Sequence, residues 1–242
     1  MNDLELWQYI AIALLFFWTG FVRSGLGFGG AALGLPPMLL IIDDPLVWLP
    51  LIGVHLLFFS SWTVGKRLHQ VDWGFVRHAS WVMAIPMGLG VFGLLTLPSQ
   101  WLVWFVYGIT FFYGTCFILK YDMKSPNIWV DRLLLVLGGY VAGVSLMGAP
   151  LIAAVAMQRV DKTVLRNTLF VLWFVLVVIK LSVLTMAGVN FWWMIHLWIL
   201  PCAIAGHFLG LRLHEYLIAG DGVLFKQGLG AALVVISMLG LI

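Results

Sequence analysis

The sequence is poor in charged residues and in cysteine. Only 10% of its 242 residues are charged and 63% are hydrophobic, whereas soluble domains carry roughly 25% charged residues. A soluble fold of this length cannot bury so much apolar surface, so a soluble domain is excluded. Both cysteines, Cys116 and Cys202, lie within apolar runs, which excludes a secreted disulfide scaffold. The composition therefore predicts a polytopic membrane protein.

The N-terminus also lacks the basic residues of a cleavable signal peptide. Residues 1–5 read MNDLE and are acidic, whereas a signal peptide begins with a positively charged region. We therefore expect the first apolar run to be a membrane segment of the mature protein.

Nine apolar runs have roughly the 17–25 residues that a helix needs to cross a bilayer. They cover residues 6–22, 26–42, 46–65, 79–97, 101–119, 133–157, 165–186, 191–213 and 228–242. Most of the 13 basic residues lie in four of the connections, which the positive-inside rule assigns to the cytoplasm. These residues are Lys66, Arg67 and Arg77; Lys120, Lys124 and Arg132; Arg159, Lys162 and Arg166; and Arg212 and Lys226.

Nine complete crossings cannot place all four basic connections on one side. They can lie there if 6–42 and 133–157 each enter the membrane and return, turning near 23–27 and 145–148. Two such hairpins and six spans satisfy the charge pattern. This topology predicts that both termini are non-cytoplasmic.

An internal repeat supports the two hairpins. At an offset of 118 residues, Gly20-Phe21 falls on Gly138-Gly139, Gly30-Ala31 on Gly148-Ala149, Asp43 on Asp161, and 71–73 on 189–191. With a three-residue deletion, Pro86 then falls on Pro201.

The predicted fold is a single all-α membrane domain over 1–242 that consists of two repeats. Repeat 1 (1–120) holds hairpin 6–42 and spans 46–65, 79–97 and 101–119; repeat 2 (121–242) holds hairpin 133–157 and spans 165–186, 191–213 and 228–242. Because three spans is an odd number, the second repeat must be inverted relative to the first. Inverted repeats with broken helices are a recurrent architecture of secondary transporters.

The glycine-rich hairpins carry a family resemblance. Residues 20–30 read GFVRSGLGFGG, and residues 138–150 read GGYVAGVSLMGAP. With Pro36-Pro37, the VDW at 71–73 and the closing GLRLH at 210–214, the chain resembles the sulfite exporter TauE/SafE family over nearly its whole length. The resemblance implies an inner-membrane transporter that exports a small sulfur-containing anion, sulfite or an organosulfonate such as sulfoacetate, without a cofactor.

The glycines of the first hairpin also match the dinucleotide pattern G-x-G-x-x-G. That pattern binds nucleotides only between a strand and a helix, and here both flanks are apolar runs of membrane length. Two interpretations of the glycines remain: close packing of helices through small residues, and unwound hairpin tips whose N–H groups face an anion.

Arg23 is the most informative charge, because a cation deep in a bilayer normally faces protein, water or a counter-charge. No acidic residue lies within a predicted span to pair with it. We expect Arg23 to bind the anion bidentately; the alternatives are that it snorkels to a surface or pairs with backbone carbonyls. The predicted anion-binding set, drawn from both hairpin tips, is Arg23, Ser24, Gly25, Gly27, Gly29, Gly30, Ser145, Gly148 and Ala149.

Four further residues are candidates for gating or proton coupling: His55, His207, Lys180 and Gln158. Histidine titrates near neutral pH, although a lone histidine in a span is more often neutral and hydrogen-bonded. Lys180 lies about 10 Å from the outer end of its span, so we expect it to snorkel outward; the alternative is that it faces the cavity, as a second anion contact or as part of the exit path. Asn167 and Thr168 are interpreted as solvated loop residues, with lining of an inner gate as the alternative.

The function predicted from these residues is export of a small anion by alternating access, with the two hairpin tips meeting near the midplane. A channel-like anion pore and a transporter of another small carboxylate or oxyanion are alternatives. A membrane enzyme would need titratable groups gathered at one depth, and the histidines show no spacing typical of metal ligands. The expected partners are the anion and the lipid bilayer, with no nucleic acid; a homodimer is left open.

The topology is tested by cysteine labelling in intact cells. Cysteines at Ser99 and Asn190 should react with an impermeant reagent from outside, because these connections lack basic residues. Cysteines at Arg67, Lys124 and Lys162 should react only from the cytoplasm. Labelling of position 162 from outside would overturn the second hairpin and, with it, the inverted repeat.

Overall fold

The computed structural model describes residues 4–26, 30–65, 67–121, 127–219 and 223–242. The described residues form ten α-helices, which confirms the all-α prediction. Their bounds are α1 (Leu6–Leu26), α2 (Gly30–Leu39), α3 (Pro45–Val64), α4 (Trp73–Thr96), α5 (Ser99–Ile118), α6 (Ile128–Ser145), α7 (Ala149–Arg159), α8 (Lys162–Met186), α9 (Trp193–Ala219) and α10 (Val223–Leu241).

Seven of the described helices are long and apolar enough to cross a membrane: α1, α3, α4, α5, α6, α8 and α9. The first arm of each predicted hairpin, α1 or α6, is itself of membrane length.

Each predicted hairpin folds back on itself. In the first, Trp18 donates its indole N–H to the carbonyl oxygen of Leu33, and the side chain of Thr19 occupies the space beside Gly34. In the second, Gly138 lies against Ile152. These contacts join residues that are about equally far from the break, so α2 and α7 return antiparallel to α1 and α6. With 10 and 11 residues, the return arms reach only about half of the hydrocarbon thickness.

Several helices begin earlier than the apolar runs do. α4 starts at Trp73 rather than at 79, because the Asp72 carboxylate accepts the backbone N–H of Phe75 at 2.9 Å. α6 starts at Ile128 rather than at 133, because Asn127 accepts the N–H groups of Trp129 and Val130. Side-chain caps of this kind satisfy the first N–H groups of a helix, so the helix extends beyond its hydrophobic part.

The start of α8 is capped by Asp161. Its carboxylate accepts the hydroxyl of Thr163 at 2.6 Å and the backbone N–H of Thr163 at 2.8 Å. These two hydrogen bonds stabilise the carboxylate and lower the pKa of Asp161. In the corresponding place before α3, Asp44 accepts the N–H of Leu46 at 2.9 Å.

The chain forms two compact units. The first contains α1, α2, α5, α9, α10 and the first residues of α3; the second contains the rest of α3 with α4, α6, α7 and α8. In the first unit, α1 packs directly on α9, since a side chain at Gly20 would meet Ala203 and one at Gly206 would meet the backbone of Phe17. In the second unit, a side chain at Gly90 of α4 would likewise meet the backbone of Tyr140 in α6.

The first unit also compensates for two prolines in α2. Pro37 has no N–H to donate to the carbonyl of Leu33, four residues earlier. The indole N–H of Trp18 donates to this carbonyl instead, at 3.2 Å. The hydroxyl of Tyr107 donates to the carbonyl of Pro36 at 3.3 Å, near the end of the helix. The carbonyl that Pro37 leaves unpaired is therefore satisfied by a neighbouring helix, as a membrane interior requires.

Contacts within each unit agree with the sides assigned to the connections. Ser99 donates to the carbonyl of Asp43, which joins two connections that lack basic residues. In the second unit, Asn167 near the start of α8 donates to Gln70, which lies in a connection rich in basic residues.

Gly90 and Gly88 provide a matched test of helix packing in α4. A Cβ at Gly90 would collide with Tyr140, whereas nothing lies within 4 Å of one at Gly88. We expect Gly90→Ala to lower stability by about 1–3 kcal/mol through overpacking, and Gly88→Ala to be neutral or stabilising by up to about 1 kcal/mol. Thermal melting in detergent measures both. Equal melting temperatures for the two variants would contradict the close α4–α6 packing.

Candidate functional site

The first break lies between α1 and α2, where the predicted anion-binding residues begin. Arg23 is only 5% exposed, Ser24 is 1% exposed, and Gly25 and Gly30 are buried. The predicted residues Gly27 and Gly29 lie outside the described residues. Of the turn predicted near 23–27, residues 23–26 belong to α1 and residue 27 lies outside the described residues.

Arg23 lies beside the first residue of α2. A Cβ added at Gly30 would be 3.0 Å from the Cβ of Arg23, so a larger residue at position 30 would be crowded. The burial of Arg23 does not agree with the alternative in which it snorkels to a surface. The buried side chain of Arg23 thus begins beside the N-terminal residue of α2, the end of a helix that carries a partial positive charge.

Ser24 is connected to α9 through His207. The Ser24 hydroxyl and His207 Nδ1 are 2.5 Å apart, and both side chains are buried. Gly206 and Gly210 allow the backbone of α9 to lie directly against that of α1. The side chains of Ser24 and His207 can therefore reach each other. The interpretation of His207 as a buried, hydrogen-bonded histidine is confirmed.

The second break lies between α6 and α7. α6 ends at Ser145, and Leu146 adopts the left-handed conformation, with φ 61°, before the chain reverses. Gly148 faces the carbonyl oxygen of Gly138 so closely that any side chain would collide with it. Ser145, Gly148 and Ala149, the predicted residues of this tip, are all buried, and the Ser145 hydroxyl donates to the carbonyl of Val141 at 2.9 Å.

Lys180 of α8 reaches this second break, and the expectation that it snorkels outward is wrong. Its side chain is fully buried, and Nζ donates to the carbonyl oxygens of Gly143 at 2.7 Å and Ala142 at 3.2 Å. These carbonyls belong to the last turn of α6, where a cation is favourable. The depth of Lys180 along its own helix was therefore a poor guide, because the face of α8 on which it lies is turned toward α6.

The remaining candidates are separated from the breaks. His55 in α3 is buried, and its Nδ1 lies 2.7 Å from the carbonyl of Leu51. Gln158 is exposed near the end of α7 and donates to Ala154. Asn167 and Thr168 are not solvated loop residues: both are buried in α8, and Thr168 accepts the N–H of Asp72 at 2.9 Å.

One polar contact of the second hairpin was missed in the sequence. Arg159, in the last turn of α7, forms an ion pair with Asp131, in the first turn of α6, at 2.7 Å. The Asp131 side chain is 7% exposed and that of Arg159 is 46% exposed. The two residues lie about equally far along the chain from the turn near 145–148. This spacing could have predicted that they lie side by side once the hairpin closes. The ion pair closes the base of the hairpin.

Comparison with protein families identifies the fold. The family model described as sulfite exporter TauE/SafE matches residues 12–239. The chain belongs to the TauE/SafE family. No curated protein and no solved structure gives a significant match.

Membership of the TauE/SafE family determines the class of function. The protein is a multi-pass membrane transporter of sulfur-containing anions, not an enzyme. Among the described residues, no three histidine, cysteine or acidic side chains are grouped in a way that could hold a metal ion. In this TauE/SafE protein, buried polar residues lie at both helix breaks: Arg23, Ser24 and His207 at the first, and Ser145 and Lys180 at the second.

The ion pair at the base of the second hairpin gives a stability prediction. We expect Arg159→Gln to lower stability by about 1–3 kcal/mol, because it removes the charged partner of a buried carboxylate. The double variant Asp131→Asn with Arg159→Gln should recover part of the loss, because two amides can still form a hydrogen bond. Thermal melting in detergent measures both, and an unchanged melting temperature for Arg159→Gln would contradict the role of the pair.

Proposed function

We propose that this TauE/SafE protein is a secondary transporter that exports sulfite or an organosulfonate such as sulfoacetate across the inner membrane by alternating access. The observation that carries the proposal is the burial of Arg23, whose Cβ lies beside Gly30, the first residue of α2. A cation and the positive end of a helix at one point attract an anion. Half-helix N-termini serve anionic substrate groups in the same way in other secondary transporters.

The side chains at the first break suit an oxyanion. A guanidinium presents a planar fork that matches two oxygens of a sulfonate or sulfite. Ser24 adds a hydroxyl next to it, and the glycines Gly25, Gly27, Gly29 and Gly30 would allow backbone N–H groups to approach the ligand. These features favour a compact oxyanion; the choice of a sulfur-containing one rests on family membership.

The second break is assigned a parallel role in anion binding. Ser145, Gly148 and Ala149 lie where α6 ends and α7 begins, and all three are buried. Pro150 occupies the start of α7, where its missing N–H costs no hydrogen bond. The first N–H groups of α7 are then the donors available to an anion.

We infer that the two halves are inverted repeats, and the order of the helices supports this. A long arm, a short arm and three further helices occur in α1–α5 and again in α6–α10. The long arm α1 packs on α9, and the long arm α6 packs on the corresponding helix α4, in both cases through glycine. Each half would contain an odd number of crossings, so both termini would be non-cytoplasmic.

His207 is the proposed proton-coupling residue at the first break. It contacts the Ser24 hydroxyl directly, so a change in its protonation would change which of the two groups donates the hydrogen bond. His55, Gln158 and Lys180 are assigned to gating. None of them belongs to the first break.

The role of Arg23 is tested by anion-dependent thermal stabilisation in detergent. We expect Arg23→Ala to weaken sulfite and sulfoacetate binding by about 30- to 150-fold, since a desolvated charge-assisted contact contributes roughly 2–3 kcal/mol. Arg23→Lys should restore only part of the affinity, because an ammonium keeps the charge but loses the planar fork.

Two controls accompany this experiment. Arg212→Ala removes the same charge from an exposed position in α9 and should leave anion affinity unchanged. If Arg23→Ala reduces folding, Ser24→Ala tests the same break in its place. Stabilisation of Arg23→Ala by the anions as strong as that of the wild type would refute the assignment of Arg23.

The transport mechanism is tested separately in proteoliposomes. A transporter that works by alternating access should show counterflow of labelled sulfoacetate and saturation at slow turnover. Fast, unsaturable anion flux without counterflow would identify a channel-like pore instead. Saturable counterflow of acetate in preference to sulfoacetate would contradict the proposed substrate class.

A further inference from the structure

Lys180 is fully buried, and its Nζ donates hydrogen bonds to two carbonyl groups of α6. The acidic side chains that the structure describes in this unit serve elsewhere: Asp72 and Asp161 cap α4 and α8, and Asp131 pairs with Arg159. Asp131 is 12 residues from Gly143 along α6, which corresponds to about 18 Å. The charge of Lys180 is therefore offset by peptide dipoles and not by a carboxylate.

The position of Lys180 matters because of the electrostatics of a broken helix. The C-terminal end of a helix carries about −0.5 charge and the N-terminal end about +0.5. At the second break, the end of α6 and the start of α7 are separated by only three residues, 146–148, so their partial charges cancel at short range. A break without a cation would then have no net attraction for an anion.

A lysine on the last carbonyls of α6 changes this balance. Its ammonium outweighs the negative end of α6, and the positive end of α7 remains, which leaves about one positive charge at the break. At the first break, Arg23 supplies the corresponding charge from the last turn of α1 itself. Lys180 reaches its position from a different helix, α8, and its two hydrogen bonds leave the N-terminal end of α7 available.

We propose that Lys180 is a positioning residue that caps α6 and, without touching the anion, gives the α6–α7 break its affinity for anions. The inference rests on the proposed function of this break in anion binding. It distinguishes two properties of one side chain: its hydrogen bonds, which hold the end of α6, and its charge, which sets the affinity. Because the effect is electrostatic, it must increase with the charge of the ligand.

The experiment compares two sulfonates that differ in charge. Affinities for methanesulfonate, a monoanion, and sulfoacetate, a dianion at pH 8, are measured by calorimetry on wild-type protein and on Lys180→Gln. Glutamine keeps a donor for the α6 carbonyls but removes the charge. We expect about a tenfold loss for methanesulfonate and about a hundredfold loss for sulfoacetate, because the Coulomb energy is proportional to ligand charge.

Two variants control the interpretation. Lys180→Arg restores the charge and should recover most of the sulfoacetate affinity. Lys162→Gln makes the same charge change at the exposed start of α8 and should alter neither affinity. Equal losses for the two anions on Lys180→Gln, or affinities equal to wild type, would overturn the inference while leaving the proposed function in place. Failure of the wild type to bind either anion would overturn both.

Folding of the variants is checked by thermal melting without anion. If Lys180→Gln does not fold, Lys180→Met replaces it as a neutral residue of similar length. If neither folds, the test is made by NMR on the wild-type protein. Sulfoacetate should shift the ¹⁵Nζ resonance of the buried, slowly exchanging Lys180. An unshifted resonance under saturating sulfoacetate would refute the inference. Lys120, Lys162 and Lys226, which are exposed, exchange rapidly and do not interfere.

Discussion

The constraint on which this structure depends is that a helix broken inside hydrocarbon leaves backbone N–H and C=O groups without water to bind. In both units, side chains of neighbouring helices donate hydrogen bonds to carbonyl groups of the hairpin arms. Lys180 binds two carbonyls at the end of α6. The indole of Trp18 binds the carbonyl that Pro37 leaves unpaired in α2. One of these groups, Lys180, is also the residue proposed to give the second break its attraction for an anion.

Close packing through glycine brings these replacement groups within reach. His207 contacts Ser24 because α9 lies directly on α1, with no side chain at Gly206 to separate them. In the second unit, Gly53 of α3 lies against Leu181, the neighbour of Lys180 in α8. Small residues permit such approaches between helices in a membrane, where there is no hydrophobic driving force for association. The two interpretations of the glycines, packing and anion binding, are thus compatible.

Hydropathy, charge and glycine spacing predicted the helical class, the two hairpins and the position of the second break. They failed at helix starts such as Trp73, because capping by Asp72 is local chemistry that hydropathy does not measure. They also failed for Lys180, because a depth along one helix does not say which face is turned toward a neighbour. The ion pair of Asp131 with Arg159 was missed for a related reason: it requires knowing that both arms of the hairpin end at the same level.

The two cations show why the proposed repeats are only partly visible in the sequence. At the offset of 118 residues that aligns the glycines, Arg23 falls on Val141 and Lys180 falls on Trp62. Where two backbones touch, the residue at the point of contact must itself be glycine, because a neighbouring helix cannot compensate for a side chain there. The glycine must therefore occur at the same position in each repeat. A charge can reach the same point from the broken helix itself, as Arg23 does, or from a neighbour, as Lys180 does. Steric requirements therefore repeat in sequence, whereas electrostatic requirements need to repeat only in space.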